Sequence, residues 1–320
     1  MKALVFCEIK KPLEYKDFPD PEIKEDYKIV ELKAAALNRR DWWITQGRYA
    51  NIRLNSILGS DGSGIFDGKE VVICPSLYWG NNEKYQSDNY KILGMDEDGT
   101  FAEKIAIRKK NIHPKPEHLN FEQAAALALS GLTAYRALIV RCGAKAGDNV
   151  LISGVGGGTA LTACQFAIAL GANVFVTSGS EEKINKAIEI GAKGGVDYKD
   201  PDAMKKLGKS VGGFDVVIDS AGGAGFELLL RMCRKGANVA IYGGTAGTIE
   251  KLSVPNIFYK QMTIHGSTMG SDVDFKNMLA FVNEHKIVPV IDSIYDLKDG
   301  NSAVEKMANS PQFGKIILKI

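Results

Sequence analysis

The sequence predicts an α/β protein with two parts, a doubly wound parallel sheet and a smaller, mostly β domain. Three observations carry this. From Asn149 onward, apolar runs alternate with helical patterns in a βαβαβ rhythm. A glycine-rich turn, Gly154 to Gly158, separates the first of those strands from the helix after it. Before residue 118 the apolar runs are short and broken by Pro and Gly, as in a β-rich domain. A chain of 320 residues is long enough for two domains.

The elements follow in order. Ala3 to Phe6, Tyr27 to Leu32, Val71 to Cys74 and Phe101 to Ile107 read as strands. Asp17 to Pro21 and His113 to Pro116 are loop punctuation. Tyr78 to Leu93 is polar and weakly periodic, and reads as a long excursion. Phe121 to Val140 is rich in Ala and Leu and reads as helix, interrupted at Gly131. Val150-Leu151-Ile152 is continuously apolar, as a strand covered on both faces would be. Thr159 to Leu170 then reads as a helix packed on the sheet, and Asn173 to Thr177 as a second strand. Ser180 is placed to cap the next helix, with Glu181 and Glu182 in its first turn. Ile184, Ala187 and Ile188 stripe that helix and Gly191 closes it. Phe214 to Ile218 is another strand. Phe226 to Cys233 stripes a helix expected to end at Gly236. Val239 to Tyr242 and Met262 to Ile264 are further strands, and Phe275 to Glu284 is a helix. Lys315 to Lys319 alternates like a strand that returns to the first domain. The expected domains are 1–118 with 286–320, and 119–285.

Composition removes several classes of function. Charged residues make up 24% and apolar ones 45%, which excludes a disordered or collagenous chain. The net charge of +2, with both signs interleaved, gives no nucleic-acid footprint. No CxxC exists among the 5 cysteines, so neither a disulfide framework nor a zinc ribbon is expected. Cys164 and Cys233 read as small core residues. No signal sequence or membrane span is expected, and the cytoplasm is the expected compartment.

The chemistry begins at the turn Gly154-Val155-Gly156-Gly157-Gly158-Thr159-Ala160, which fits G-x-x-G-x-x-A. Glycines let the backbone approach a pyrophosphate, and the following helix N-terminus offers unpaired N–H groups to it. An NAD site places an acid at the end of the second strand, where it accepts from the ribose 2′-hydroxyl. Here that place reads Val176-Thr177-Ser178-Gly179-Ser180, with Lys183 nearby. Hydroxyls and a lysine suit a 2′-phosphate, so NADPH is expected ahead of NADH.

Several segments, in this order and spacing, resemble the medium-chain dehydrogenase/reductase superfamily over nearly the whole chain. They are Asn38-Arg39-Arg40-Asp41 with Gln46 to Tyr49, Leu58 to Gly64, Leu132 to Leu138, Lys145 to Ile152, Phe214 to Asp219, His265-Gly266-Ser267 and Gly314-Lys315. Within that superfamily the chain resembles the zinc-independent, quinone-oxidoreductase-like branch. The resemblance implies a GroES-like catalytic domain, a Rossmann cofactor domain, a cleft between them and hydride transfer from a nicotinamide. The region Gly64 to Lys69 is shorter than the family's usual strand–loop–strand.

The resemblance also implies roles. Gly156, Gly157, Gly158 and Thr159 meet the pyrophosphate, and Ser178, Ser180, Lys183 and Tyr198 hold the adenosine phosphate end. Asn38 and Thr133 contact the nicotinamide end, and Gly243, Thr245, Ser267 and Lys315 complete the cofactor set. Tyr49 is the candidate for the substrate pocket and a proton donor, with Asn38 and Asp41 as further catalytic candidates. Zinc is not expected. The zinc-dependent branch has Cys where Asn38 stands, His where Ser60 stands and Cys near Leu129. A metal-free enzyme favours an acceptor that delocalises the charge left by hydride, such as a quinone or enone. A zinc-type alcohol dehydrogenase and a non-catalytic NADPH-binding protein are the competing readings. The expected partners are a small-molecule substrate and a second copy paired through the cofactor domain, with Phe258 to Gly270 as the candidate edge.

Overall fold

The structure is a computed structural model that describes all 320 residues. The chain divides into two compact units, Met1–Leu132 with Gly270–Ile320, and Thr133–Met269. By packing the changeovers fall at 132/133 and 269/270, beside the 118/119 and 285/286 expected from the sequence. Phe275 stacks on His113 with ring centres 4.9 Å apart, and Met278 packs against Gly131, so the Asp272–His285 helix belongs with the first unit.

In the first unit, a seven-stranded sheet contains Ile112–Pro114, Lys69–Ile73, Asp61–Phe66, Tyr27–Ala36, Lys315–Lys319 and Ile291–Asp296 in that order, with Lys104–Arg108 on the Tyr27 strand. Lys315–Lys319 therefore does return to this unit, antiparallel to Ala34–Ala36. Lys2–Phe6 pairs with Glu14–Asp17 and Ser56–Ile57 in a second sheet. Leu4, Phe6, Leu37, Ile44, Phe101 and Ile316 share one core. The shortened Gly64–Lys69 region is a tight hairpin. Asp67 and Gly68 alone join Asp61–Phe66 to Lys69–Ile73, with φ of 50° and 70°. Two consecutive left-handed residues match the right-handed twist of the flanking strands, and Asp-Gly tolerates both.

In the second unit, six parallel strands are Asn149–Ile152, Asn173–Ser178, Gly194–Asp197, Phe214–Asp219, Cys233–Ile241 and Thr263–Gly266. Across the sheet they run third, second, first, fourth, fifth, sixth. This is the doubly wound order whose crevice lies outside the carboxyl ends of the strands, where the direction of winding reverses. Val150, Leu151 and Ile152 are fully buried, as their continuous apolar run predicts. Thr263–Gly266 is the outermost strand, so the Phe258 to Gly270 stretch lies at a sheet edge. Phe258 and Tyr259 in the helix beside it are 65% and 73% exposed.

Three local readings change. The helix runs unbroken through Gly131 from Phe121 to Tyr135 and continues as a wider turn over Arg136–Arg141. Gly131 is there for closeness: a Cβ would lie 2.7 Å from the Leu127 side chain and 3.2 Å from Met278 sulfur. The Phe226 helix ends at Met232, and Gly236 sits in the next strand where the register shifts. Finally, Phe121–Arg141 is long and apolar enough to cross a bilayer, which the sequence reading overlooks. In the fold most of that stretch is buried inside the protein, as in a core helix.

Candidate functional site

The site residues fall into two groups, one in each unit. In the first unit they gather around Asp61, which begins its strand with no solvent exposure. One Asp61 oxygen accepts the Leu129 N–H at 2.7 Å. The other accepts Lys315 Nζ at 2.8 Å and Asn38 Nδ2 at 3.0 Å. Lys315 Nζ also donates to Asn38 Oδ1 at 2.8 Å, which closes a three-membered polar ring. Lys315 is 3% exposed and Asn38 9%. A charge so buried persists only when paired and hydrogen-bonded, and this one is. The Lys315 ammonium, assigned to the cofactor by resemblance, is bonded in this structure to Asp61 and Asn38.

Asn38 also precedes the helix Arg39–Thr45. Its backbone N–H donates to Asp41 Oδ2 at 2.7 Å, so Asp41 fastens the helix start. The other Asp41 oxygen is buried without a partner. Burial pushes the Asp41 carboxyl from an ordinary 3.8 up to about 6, against the opposing pull of Arg40 and the Asn38 N–H. The protonated form therefore favours folding. The cost of ionising Asp41 in place grows as pH rises from about 4 to about 6 and then levels off. At roughly 1.4 kcal/mol per pKa unit it reaches about 3 kcal/mol. Asp41→Asn, which mimics the protonated form, should match the parent below pH 4 and melt higher than it above pH 6. A melting difference that does not change with pH would refute this.

Arg40 is 8% exposed. Nη1 donates to Ser60 Oγ at 2.8 Å and, more distantly, to the Leu93 carbonyl at 3.4 Å. Nη2 reaches only the Met95 thioether at 3.5 Å, and Nε has no acceptor. The guanidinium carbon lies 5.6 Å from the centre of the half-buried Tyr49 ring, a cation–π contact. This cation was not singled out in the sequence, where Arg40 is only the residue before Asp41.

These residues do not make a zinc site. Two of the positions that align with the family's ligands, Asn38 and Ser60, already accept hydrogen bonds from an ammonium and a guanidinium. The third falls near Leu129, whose side chain offers no donor atom. No group of three His, Cys, Asp or Glu comes together anywhere in the structure. A divalent cation set among these residues would face two resident positive charges without the thiolates or imidazoles it prefers.

In the second unit the glycine-rich turn does stand between strand and helix. Gly157 precedes the helix Gly158–Ala169 and no side chain caps it, so the first N–H groups remain open to an anion. Gly156 has φ of 130°, which side-chain-bearing residues rarely adopt. A Cβ there would lie 2.8 Å from Lys183 Cδ and 3.4 Å from Lys183 Nζ. The Lys183 side chain thus lies over the turn.

The end of the second strand carries more positive charge than the sequence suggested. A Cβ on Gly179 would lie 2.7 Å from the Tyr198 hydroxyl and 3.1 Å from Lys199 Cε. Lys199 Nζ itself reaches the Gly179 carbonyl at 3.4 Å. Ser180 caps the Glu181–Glu189 helix by accepting the Lys183 N–H at 3.4 Å. Glu182 turns outward to Lys186 at 2.6 Å, so it does not oppose an anion at the strand end. Ser178, Ser180, Lys183, Tyr198 and Lys199 form this corner, and Lys199 is its unforeseen member.

The other cofactor candidates sit on nearby segments. Asp219 ends the fourth strand, accepts the Ser153 hydroxyl and takes the Gly222 N–H at 2.7 Å, which shapes the floor beside the turn. Gly243 passes the Ser220 carbonyl so closely that a Cβ would lie 2.6 Å from it. Thr245 is exposed, with its hydroxyl 3.4 Å from the same carbonyl. The Ser267 hydroxyl is buried without a partner, and Thr133 reaches only the Met269 sulfur at 3.9 Å. Open helix N–H groups, lysines at the strand end and an unpaired hydroxyl fit a dinucleotide.

Comparisons with known proteins match both parts of the chain. Residues 24–117 match the alcohol dehydrogenase GroES-like domain, and residues 158–284 match the zinc-binding dehydrogenase domain. The chain is 33% identical to a zinc-type alcohol dehydrogenase-like protein, YogA, of Leptosphaeria maculans, over 91% of this chain and 90% of that one. It is 29% identical to a quinone oxidoreductase of Pongo abelii, over 94% and 92%. A crystal structure titled NAD-dependent alcohol dehydrogenase superposes with a TM-score of 0.94 at 35% identity, covering all of both chains. With its GroES-like unit, its doubly wound cofactor unit and these relatives, the chain belongs to the medium-chain dehydrogenase/reductase superfamily and is an oxidoreductase.

Proposed function

We propose that the protein is a zinc-independent, NADPH-dependent reductase of conjugated carbonyl compounds, quinones or enones. The observation that carries this reading is the pair of cations on the polar ligand positions, Lys315 on Asn38 and Arg40 on Ser60. A metal-free site loses the Lewis acid that activates an alcohol. It is suited to an acceptor that spreads the added charge through its own conjugation.

A bound reduced nicotinamide would supply the hydride, as the cofactor's own chemistry. The chain's residues do the rest. The helix after Gly157 offers its N–H groups to the pyrophosphate. Lys183, Lys199, Ser178 and Tyr198 receive the 2′-phosphate, and no acid stands at the strand end to claim the ribose. Tyr49 walls the acceptor's side of the first unit and is the candidate proton donor. The similarity to a quinone oxidoreductase supports the same acceptor class.

The structure titled NAD-dependent alcohol dehydrogenase favours a second reading, alcohol oxidation with NAD. One set of assays separates the two. Quinones and enones should consume NADPH faster than NADH, with no change after a chelator. Activity confined to alcohols, or abolished by the chelator, would overturn the proposal. Cofactor binding without turnover on any acceptor would make the protein a binder.

A further inference from the structure

Two buried cations stand at the centre of the first unit, and they are not equivalent. Lys315 is paired: Asp61 balances its charge and Asn38 takes a further hydrogen bond. Arg40 is not. It makes no direct ion pair, the buried Asp41 carboxyl feeling its charge only at longer range; its Nε has no acceptor, and Nη2 touches only a thioether. A guanidinium carries five N–H donors, and one that is nine-tenths buried with donors left over is costly unless something arrives to accept them. Ser60 and the Leu93 carbonyl orient it from one side. Tyr49 covers it from another, and that residue lies between the exposed Arg48 and Ala50.

We propose that Arg40 binds the carbonyl oxygen of the acceptor and stabilises the oxyanion that hydride addition creates. The inference rests on the reductase reading above and names the residue that does a metal's electrostatic work there. A bound reduced nicotinamide would supply a hydride, and with it two electrons, to the conjugated carbon. The displaced π pair moves to the carbonyl oxygen and gives an enolate paired with Arg40. A proton, delivered from Tyr49 or water, then completes the reduced product. The acceptor class is therefore one with a carbonyl oxygen conjugated to the carbon that takes hydride.

The test uses the full-length protein and 4-nitrophenol, whose phenolate imitates the enolate and is coloured. Bound to the parent protein, the phenol should ionise at least about one pH unit lower than in water, because a fixed cation favours the anion. Arg40→Gln should abolish that shift. It should also lower kcat with 1,4-naphthoquinone by about 100-fold or more, the scale of losing one oxyanion donor. NADPH affinity, read by fluorescence, should stay the same, and Arg40→Lys should recover part of both effects. If Arg40→Gln does not fold, the parent titration and Arg40→Lys still decide. A parent that fails to bind nitrophenol or shows no preference for the phenolate overturns the assignment. So does an Arg40→Gln protein that keeps the shift. A parent with phenolate preference but no NADPH oxidation on any acceptor refutes the reductase reading while leaving the anion site standing.

Discussion

Asp61→Ala is expected to destabilise the first unit by at least about 3–5 kcal/mol, the usual cost of breaking one side of a buried ion pair. The substitution strands the Lys315 ammonium at 3% exposure and leaves the Leu129 N–H without its acceptor. Lys315→Met alone should be severe as well, because it leaves the Asp61 carboxylate facing only amide donors. The double variant Asp61→Asn with Lys315→Met should be more stable than either Asp61→Asn or Lys315→Met alone. A well-packed neutral pair removes both desolvation costs together. Urea melts of the four proteins provide the comparison, and additive single effects would show that the ring is not a unit.

The second large effect concerns cofactor choice. Lys183→Ala combined with Lys199→Ala should raise the KM for NADPH by about 100-fold, since two charge-assisted hydrogen bonds contribute roughly 1.5–3 kcal/mol each. The KM for NADH should move by less than about threefold, because that cofactor lacks the phosphate both lysines would meet. Initial rates at varied cofactor concentration separate the two. Equal losses with both cofactors would mean that the lysines serve the turn's shape or the pyrophosphate. In that case the absent acid at Ser178-Gly179-Ser180 would not signify NADPH.

The second unit was legible because its information is local. A continuous apolar run such as Val150 to Ile152 gives a buried strand, and a glycine turn followed by a helix gives an anion site, all within about twenty residues. The parallel order of the sheet follows from such βαβ units. The misreadings have physical causes too. Gly131 looks like a break because glycine weakens helices, yet here the missing Cβ is what admits Leu127 and Met278. Gly236 was read as a helix end because glycine often is one, but it lies where the strand shifts register.

The polar centre of the first unit was far less legible. Asn38, Asp61 and Lys315 are joined by pairings spanning up to 277 residues of sequence. No pattern within one segment can pair them. Arg40 was hidden for another reason. Arg39 and Arg40 adjoin in sequence, but a helix turns them apart. Arg39 goes to the carbonyls of Met307 and Ala308 and the Ser310 hydroxyl, and Arg40 into the buried polar centre. Lys199 cannot be read from the end of the second strand, because it arrives there from the loop after the third.

The strand Lys315–Lys319 has a consequence for synthesis of the chain. It sits between the Tyr27–Ala36 and Ile291–Asp296 strands, and it brings the ammonium that neutralises Asp61. While the ribosome is still making the middle of the chain, the sheet of the first unit has a vacant lane and a carboxylate with no cation. The second unit draws its strands from one continuous stretch and is free to fold as soon as that stretch emerges. The first unit must wait as an incomplete sheet, with the unpaired edge of Ala34–Ala36 open to the wrong neighbour. Chaperone dependence and aggregation during expression should therefore track the delay before residue 315 is made more closely than the stability of the finished fold.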